Sequence, residues 1–186
     1  MSVWEGLTPP YSTIVADPPW ADIGKRLTGV TRVGREVRDR SIAGQYGTLD
    51  TEAICSMPVQ DLHDGDAHLY LWATNLGLPD AFAVMASWGF SYKTCLTWCK
   101  QGHLGLGRYF RNQTEHVLFG VAGSMGTQDR GQITHFTAQK KGHSVKPAAF
   151  GDLVERCSPG PYVELFARQP RLGWDHWGHG YEGQAA

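Results

Sequence analysis

The sequence has no long hydrophobic run and no targeting pattern among its first residues. No apolar stretch approaches the roughly 18 residues that a membrane-spanning helix needs. Residues 1–6 lack the basic-then-apolar order of a secretory signal. We therefore expect no membrane partner, and we expect a cytoplasmic protein.

Cysteine is scarce, and the sequence lacks the common metal-binding motifs. The four cysteines form no CxxC pair, so we expect reduced and mostly buried thiols. The eight histidines form no HExxH motif. The run Trp174-Asp175-His176-Trp177-Gly178-His179 offers too few ligands at known spacings, so we predict no metal site.

The chain also lacks an excess of charge of either sign. Lysine and arginine number 17, aspartate and glutamate 18, and the net charge is −1, so nucleic-acid binding would have to rest on local basic patches. A composition that is 41% hydrophobic and 19% charged is typical of a folded globular protein. At this length we expect one domain over residues 1–186.

The most informative motif is Asp17-Pro18-Pro19-Trp20, which directly follows the β-rich run at residues 12–16. The two prolines end the strand and fix the backbone, because proline has no N–H and a locked φ. The turn offers one carboxylate, rigid carbonyls and an aromatic plate, which suit a flat base with an exocyclic amine. The alternative is a simple Pro-Pro turn with Trp20 in the core.

Strand and helix patterns alternate along the chain, which predicts an α/β fold with a central sheet. No GxGxxG loop is present. The predicted strands are 12–16, 67–72, 92–98, 115–121 and 162–167, and the predicted helices are 50–57, 79–88 and 146–157.

Three long glycine-rich loops carry basic residues, and we expect them to gather at one edge of the sheet. The loops are 21–45, 101–111 and 122–142, and their cations include Lys25, Arg26, Arg32, Arg35, Arg38, Arg40, Arg108, Arg111, Arg130, Lys140 and Lys141. They suit phosphate contacts. The alternative is that they are exposed, solvated loops.

The C-terminal third contains a second candidate pocket. Glu164 lies within a predicted strand that Arg168 follows, and an acid at the end of such a strand commonly accepts hydrogen bonds from ribose hydroxyls. It could equally be an edge-facing surface residue. Lys146 stands at a helix start, where negative charge is favoured, so it either neutralises a carboxylate of a ligand or of the protein, or it is simply exposed.

In their order and spacing, these motifs resemble the N6-adenine methyltransferases related to the catalytic subunit of the eukaryotic messenger-RNA N6-adenosine methyltransferase. The resemblance covers nearly the whole chain and implies a Rossmann-like, circularly permuted, three-layer sandwich with long active-site loops. The matching segments are 17–20, 46–49, 52–54, 69–74, 88–90, 96–98, Lys100, 111–112, 115–120, 143–147, 155–160, 164–168 and 174–178.

The resemblance implies that adenine is the substrate. Asp17 and the Pro18 carbonyl would hold the target amine, Pro19 would fix the turn, and Trp20 would pack on the adenine. The remaining implied substrate-binding residues are Tyr46, Arg111, Asn112 and Glu115.

The resemblance also implies that S-adenosylmethionine is the cofactor. Lys146 would meet its methionine carboxylate, and Glu164 and Arg168 its ribose side, while Asp17 and His179 complete the implied cofactor-binding set. His179 is a departure, because relatives often carry asparagine there and the paired donor and acceptor of an amide are lost. Gly180 likewise lacks the polar side chain of some relatives.

The nature of the nucleic acid stays open at this point. We favour DNA, in a bacterial cell or a phage-infected host. The alternatives are RNA N6-adenosine methylation, N4-cytosine methylation, and a non-catalytic nucleic-acid-binding subunit of a heterodimer. A generic nucleotide-binding α/β protein is the remaining possibility. The sequence leaves open whether the chain forms a homodimer or binds a partner subunit.

Overall fold

The computed structural model describes residues 3–21, 48–102, 104–105, 109–140 and 145–178. Tyr46, His179 and most of the first basic loop therefore lie outside the described residues. The secondary-structure elements are β1 (Thr13–Ala16), α1 (Thr51–Cys55), a 3-10 turn (Val59–Leu62), β2 (Ala67–Ala73), α2 (Leu78–Ser87), β3 (Ser91–Gln101), β4 (Thr114–Ala122), β5 (His135–Gln139), α3 (Ala148–Cys157), β6 (Tyr162–Leu165) and β7 (Trp174–Trp177).

These strands form one sheet of mixed direction. Its order is β5-β3-β4-β2-β1-β6-β7, and among these strands only β4 runs against its neighbours. We call the edge at which all the other described strands end the carboxyl edge. From β1 the chain continues to β2 on one side, whereas β6 continues to β7 on the other. The carboxyl ends of β1 and β6 therefore flank a switch point, where open α/β sheets bind ligands.

The sheet is covered by helices on both faces, so the fold has three layers. Because side chains alternate along a strand, Ile14 and Ala16 belong to the core beneath α1 and α2, and Val15 belongs to the core beneath α3. Every residue of β2 is buried, as expected for a central strand enclosed on both sides.

The helix ends follow local capping chemistry. The Asp50 carboxylate accepts a 2.7 Å hydrogen bond from the backbone N–H of Ala53 and so caps the start of α1. Pro79 lies in the first turn of α2, where its missing N–H costs nothing. The last predicted helix begins two residues late, at Ala148, so Lys146 and Pro147 precede it.

The sequence prediction missed two strands. Residues 122–142 were expected to be a loop, but β5 lies among them as an edge strand with alternating exposed and half-buried residues. Because β4 is antiparallel, the connection from β4 to β5 lies at the edge opposite the carboxyl edge. Arg130 lies in that connection, so its expected place beside the other basic loops was wrong.

The second missed strand is β7, where Asp175 and His176 have structural partners. The Tyr11 hydroxyl donates to the Asp175 carboxylate, and His176 Nε2 accepts from the backbone N–H of Arg171 at 2.8 Å. In the part of the chain that the structure describes, no group of three or more His, Cys, Asp or Glu side chains could hold a metal.

The cysteines and the helices bear on two further expectations. All four cysteines are free thiols, but only Cys157 is buried, so the expectation of mostly buried thiols was wrong. No helix formed by the described residues is long and apolar enough to span a membrane.

Gly178 is required by close backbone packing between the ends of β6 and β7. A Cβ atom at Gly178 would lie 3.0 Å from backbone atoms of Phe166 and Ala167, which cannot move as a flexible side chain can. We predict that Gly178→Ala lowers the free energy of unfolding by about 1–3 kcal/mol in urea denaturation. Gly126→Ala is the matched control, because its Cβ would meet nothing within 4 Å. Equal stability of the two variants would contradict this assignment.

Candidate active site

The Asp17–Trp20 turn is fixed by backbone hydrogen bonds as it leaves β1. The Trp20 N–H donates to the Pro18 carbonyl at 3.0 Å, and the Leu49 N–H donates to the Pro19 carbonyl at 2.9 Å. The Trp20 indole donates to the Trp72 carbonyl at 3.3 Å, which ties the aromatic plate to β2. Because a carbonyl oxygen has two lone pairs, the Pro18 carbonyl can accept one more hydrogen bond.

Lys146 joins two carboxylates at the carboxyl edge. Its ammonium lies 3.1 Å from Asp17 and 2.9 Å from Glu115. The other oxygen of Glu115 pairs with Lys100 at 2.5 Å. Four charges thus alternate in sign from Lys100 to Asp17. The lysine at the start of the helix therefore neutralises carboxylates of the protein itself.

The direction of β4 brings these charges together. Glu115 lies near the amino end of β4, which reaches the carboxyl edge only because that strand is antiparallel. Asp17 follows β1, and β2 lies between the two strands. Lys146 spans this gap with its Nζ 4.4 Å from the Trp72 ring centroid, a favourable cation–π contact.

The pKa values of the network favour its charged form. Burial alone would raise the pKa of Glu115, but Lys146 and Lys100 outweigh it and the pKa is lowered. Burial alone would lower the pKa of Lys146, but Asp17 and Glu115 outweigh it and the pKa is raised. Glu115 and Lys146 are therefore both ionised at neutral pH.

A cleft of about 340 Å³ opens beside this network on the α3 side of the sheet. Asp17 and Glu164 both line it, although they come from β1 and β6 at opposite ends of the chain. The other lining residues are Val15, Val145, Lys146, Pro147, Ala148, Phe150, Gly151, Phe166, Arg168, Gln169, Pro170, Arg171 and Trp174. The start of α3 lines the cleft too and has no side-chain cap, so its first N–H groups remain available to an anion.

Glu164 is the most perturbed acid of the cleft. Burial, and then the nearby Asp17 charge, raise its pKa to about 7, against smaller opposing effects of Lys146 and Arg171. No described side chain lies within ion-pairing distance of Glu164. A half-buried carboxylate with a strongly raised pKa and no ion pair among the described residues is typical of a ligand-binding position.

The backbone after β6 is strained where it borders the cleft. Phe166 has a φ of 63°, in the left-handed region that is costly for a residue with a side chain. Its ring packs edge-on against Trp177 at 5.6 Å, and the next residue, Ala167, donates its N–H to the Trp177 carbonyl at 3.1 Å. This turn directs the chain toward Arg168, which is exposed and lines the cleft.

Arg111 and Asn112, both predicted to bind substrate, organise the β3–β4 loop. The Arg111 guanidinium donates to the carbonyls of Gly105 at 2.8 Å and Leu104 at 3.0 Å. The Gly105 N–H donates to the Asn112 carbonyl at 2.8 Å. Their direct contact with substrate stays a prediction.

The structure adds residues whose roles the sequence did not reveal. Lys100 belonged to a matching segment without an assigned role, and its contact with Glu115 depends on strand pairing that the sequence does not display. Trp72 looked like an ordinary core residue of β2. Arg171 lines the cleft and is held by Glu155 and Asp152 on α3 at 2.8 and 2.7 Å.

Because the pKa of Glu164 is raised in the folded protein, ionisation of this carboxyl lowers the free energy of unfolding. Between about pH 4.5 and 7 the folded carboxyl keeps a proton that the unfolded chain releases, so stability falls as the pH rises through this range. We predict that Glu164→Gln removes this loss and stabilises the protein at pH 8 by on the order of 2 kcal/mol. Chemical denaturation at pH 5 and pH 8 measures it, with the exposed Glu52→Gln as control. Parallel pH profiles for the wild type and Glu164→Gln would rule it out.

Comparison with known proteins gives this site its context. The family model MT-A70 matches residues 11–180. The type II methyltransferase M.MunI of a Mycoplasma species is 32% identical over 179 residues, which cover 90% of this chain and 76% of M.MunI.

Two eukaryotic relatives are more distant, and the chain spans about half of one and less of the other. The N6-methyladenosine RNA methyltransferase MTA1 of Cryphonectria parasitica is 27% identical, with 91% of this chain and 51% of MTA1 covered. The N6-adenosine-methyltransferase non-catalytic subunit MTB of Arabidopsis thaliana is 25% identical, with 67% and 16% covered. Since the family match extends over both sides of the cleft and the whole charge network, the chain belongs to the MT-A70 family of N6-adenine methyltransferases.

Proposed function

We propose that this chain uses S-adenosylmethionine to methylate N6 of adenine in DNA, with residues 1–186 acting as a single catalytic domain. One observation carries the proposal. The Asp17 carboxylate of the Asp-Pro-Pro-Trp turn and the half-buried Glu164 carboxylate line the same cleft at the switch point of the sheet. One acid faces the place for a reacting amine, and the other suits the hydroxyls of a nucleoside cofactor.

The residues of the cleft fit S-adenosylmethionine. Glu164 offers two acceptor oxygens to ribose hydroxyls, with Arg168 beside it. Lys146 has three donors, and Asp17 and Glu115 use two, so one remains for the methionine carboxylate. The uncapped start of α3 favours the same anion. His179, the other predicted cofactor contact, stays a prediction.

On the substrate side, Asp17 and the Pro18 carbonyl would accept hydrogen bonds from the two protons of the adenine amine. The lone pair of that nitrogen is delocalised into the ring, so the amine is a poor nucleophile. Two acceptors held out of the ring plane draw it toward tetrahedral geometry. The fixed turn supplies these acceptors already oriented. Trp20 would pack on the base, and Tyr46 would complete the pocket.

Bound S-adenosylmethionine supplies an electrophilic methyl group on a sulfonium. The chain orients the amine toward it, and the Asp17 carboxylate is placed to take the proton that the product nitrogen releases. Lys146 pairs with the Asp17 carboxylate at 3.1 Å and would fix its direction. Lys100 and Glu115 would act one step further away, by positioning Lys146.

The order of elements supports a circularly permuted arrangement of the Rossmann-like fold. The strand that carries the substrate turn, β1, precedes the proposed cofactor strand, β6, although the two pair directly in the sheet. Substrate and cofactor then approach the switch point from neighbouring strands.

DNA is favoured because M.MunI, which the chain covers to 76%, is a type II methyltransferase by name, and that class modifies DNA. The RNA methyltransferase MTA1 is less similar and is covered to 51%. A homodimer or a partner subunit is compatible with this function. The cytoplasm of a bacterial cell or a phage-infected host provides both DNA and cofactor.

Methyl transfer from labelled S-adenosylmethionine tests the proposal. The acceptors are unmethylated genomic DNA, the same DNA heat-denatured, and RNA transcribed from it, with the product nucleosides identified by mass spectrometry. We predict N6-methyladenine in DNA. N6-methyladenosine in RNA alone would overturn the choice of DNA, and N4-methylcytosine would overturn the choice of base.

The Asp17→Asn variant tests the catalytic assignment. Its amide keeps the size of the side chain but loses the charge that polarises the amine, so we predict a loss of about 100- to 1000-fold in kcat. Binding of S-adenosylhomocysteine, measured by calorimetry, should change less than about fivefold, because Glu115 still holds Lys146. The exposed Asp61→Asn is the matched control. Full activity of Asp17→Asn would refute the role of Asp17.

A further inference from the structure

Two adjacent aromatic side chains project from the β3–β4 loop. Tyr109 is 95% exposed and Phe110 is 87% exposed, the highest values among the aromatic residues of the described chain. We call this pair the aromatic tip. Single exposed apolar residues are ordinary, but two adjacent rings with nearly all their surface in water suggest a surface that becomes covered.

The loop beside the aromatic tip is anchored. Arg111, the next residue, donates to the carbonyls of Leu104 and Gly105, and Gly105 pairs with Asn112 across the loop. Glycine at position 105 permits this approach, since a Cβ atom would lie 2.8 Å from the Asn112 carbonyl oxygen. Because these contacts already order the chain next to the rings, binding through the tip costs less conformational entropy.

The aromatic tip belongs to the same edge of the molecule as the proposed reaction site. The loop joins the carboxyl end of β3 to the amino end of β4, and both lie at the carboxyl edge. At the base of the loop, Glu115 pairs with Lys146, which pairs with Asp17. Asn112 is also tied to Asn75, which follows β2 at that edge, through a 3.5 Å contact between their amide groups.

The neighbouring charges indicate what covers the tip. Arg111 is a cation directly beside the rings; its guanidinium donates to carbonyl oxygens, and no acid among the described residues forms an ion pair with it. Lys140 follows β5, whose carboxyl end lies beside that of β3 at the same edge. Flat apolar rings with cations nearby match a nucleic-acid strand, in which bases stack on aromatic plates and phosphates contact cations.

We propose that Tyr109 and Phe110 stack on bases adjacent to the target adenine and hold the DNA strand while that adenine occupies the pocket. This inference rests on the proposed function. Extruding a base from a duplex unstacks its neighbours at a cost of a few kcal/mol, and an aromatic surface replaces part of the lost stacking. Stacking does not depend on base identity or on net charge, so a chain with a net charge of −1 can still hold DNA.

The test compares DNA binding by the wild type with that of the double variant Tyr109→Ala/Phe110→Ala. The probe is a fluorescein-labelled single-stranded 20-mer of mixed sequence, measured by anisotropy at several salt concentrations. Since stacking is worth about 1–3 kcal/mol per base, we predict a Kd at least about tenfold weaker. The slope of log Kd against log salt should not change, because no phosphate contact is lost.

Three control variants separate stacking from other effects. Tyr92→Ala removes a 45% exposed aromatic side chain near the amino end of β3, at the opposite edge, and should leave the Kd unchanged. Tyr109→Phe keeps a ring and should bind like the wild type. Lys140→Ala should reduce the salt slope by up to about one unit. Ultraviolet crosslinking to a thymine-rich 20-mer, with peptides mapped by mass spectrometry, should give adducts at Tyr109 or Phe110.

The outcomes separate this inference from the proposed function. If the wild type methylates DNA but the double variant binds the 20-mer within twofold of it and no adduct maps to residues 109–110, the stacking role is wrong and the proposed function stands. If the wild type neither binds nor methylates DNA, both are wrong. Calorimetry with S-adenosylhomocysteine confirms that every variant retains a folded cofactor cleft.

Discussion

A single buried ammonium group determines the geometry of the site. Lys146 pairs with Asp17, which follows one strand, and with Glu115 of another, and its Nζ lies over the Trp72 ring of the strand between them. Without that cation, two carboxylates would face each other across a half-buried edge and repel. With it, the Asp17 carboxylate is paired with a cation next to Glu164, whose pKa is raised first by burial and then by the nearby Asp17 charge.

The antiparallel direction of β4 determines at which edge of the sheet each of its two flanking connections lies. Because β4 runs against the others, its amino end brings Glu115 to the carboxyl edge, where the β3–β4 loop also lies. The connection from β4 to β5 lies at the opposite edge, where the Gln128 N–H donates to the carbonyl of Cys157 at the end of α3.

The elements that the sequence predicted include a strand buried on both faces and a helix with a side-chain N-cap. β2 is a continuous apolar run, and α1 begins at an aspartate cap, so both were recognisable. β5 was not, because an edge strand that is half exposed carries few apolar residues and lies between polar loops. β7 was missed because it is only four residues long, has two polar residues at its centre and is mostly half-buried.

The residue types of the candidate site could be read from its motifs, but the ion pairs between these residues could not. Two prolines directly after a β-rich run predicted that the strand ends there, and β1 does end at Ala16, just before the turn. Whether Lys146 meets a ligand or a protein carboxylate depends on strand order and direction, which local patterns do not encode. The same holds for Lys100, whose partner comes from the neighbouring strand.

The pairing of β1 with β6 also has a consequence for biosynthesis. These strands come from opposite ends of the chain, with Ile14 opposite Val163, and each supplies one wall of the cleft. Contacts so distant in sequence form only after the intervening chain has been made and closed on itself. A nascent chain still lacking β6 has the Asp17–Trp20 turn but only one wall of the cleft, so the cleft cannot form until β6 has been synthesised.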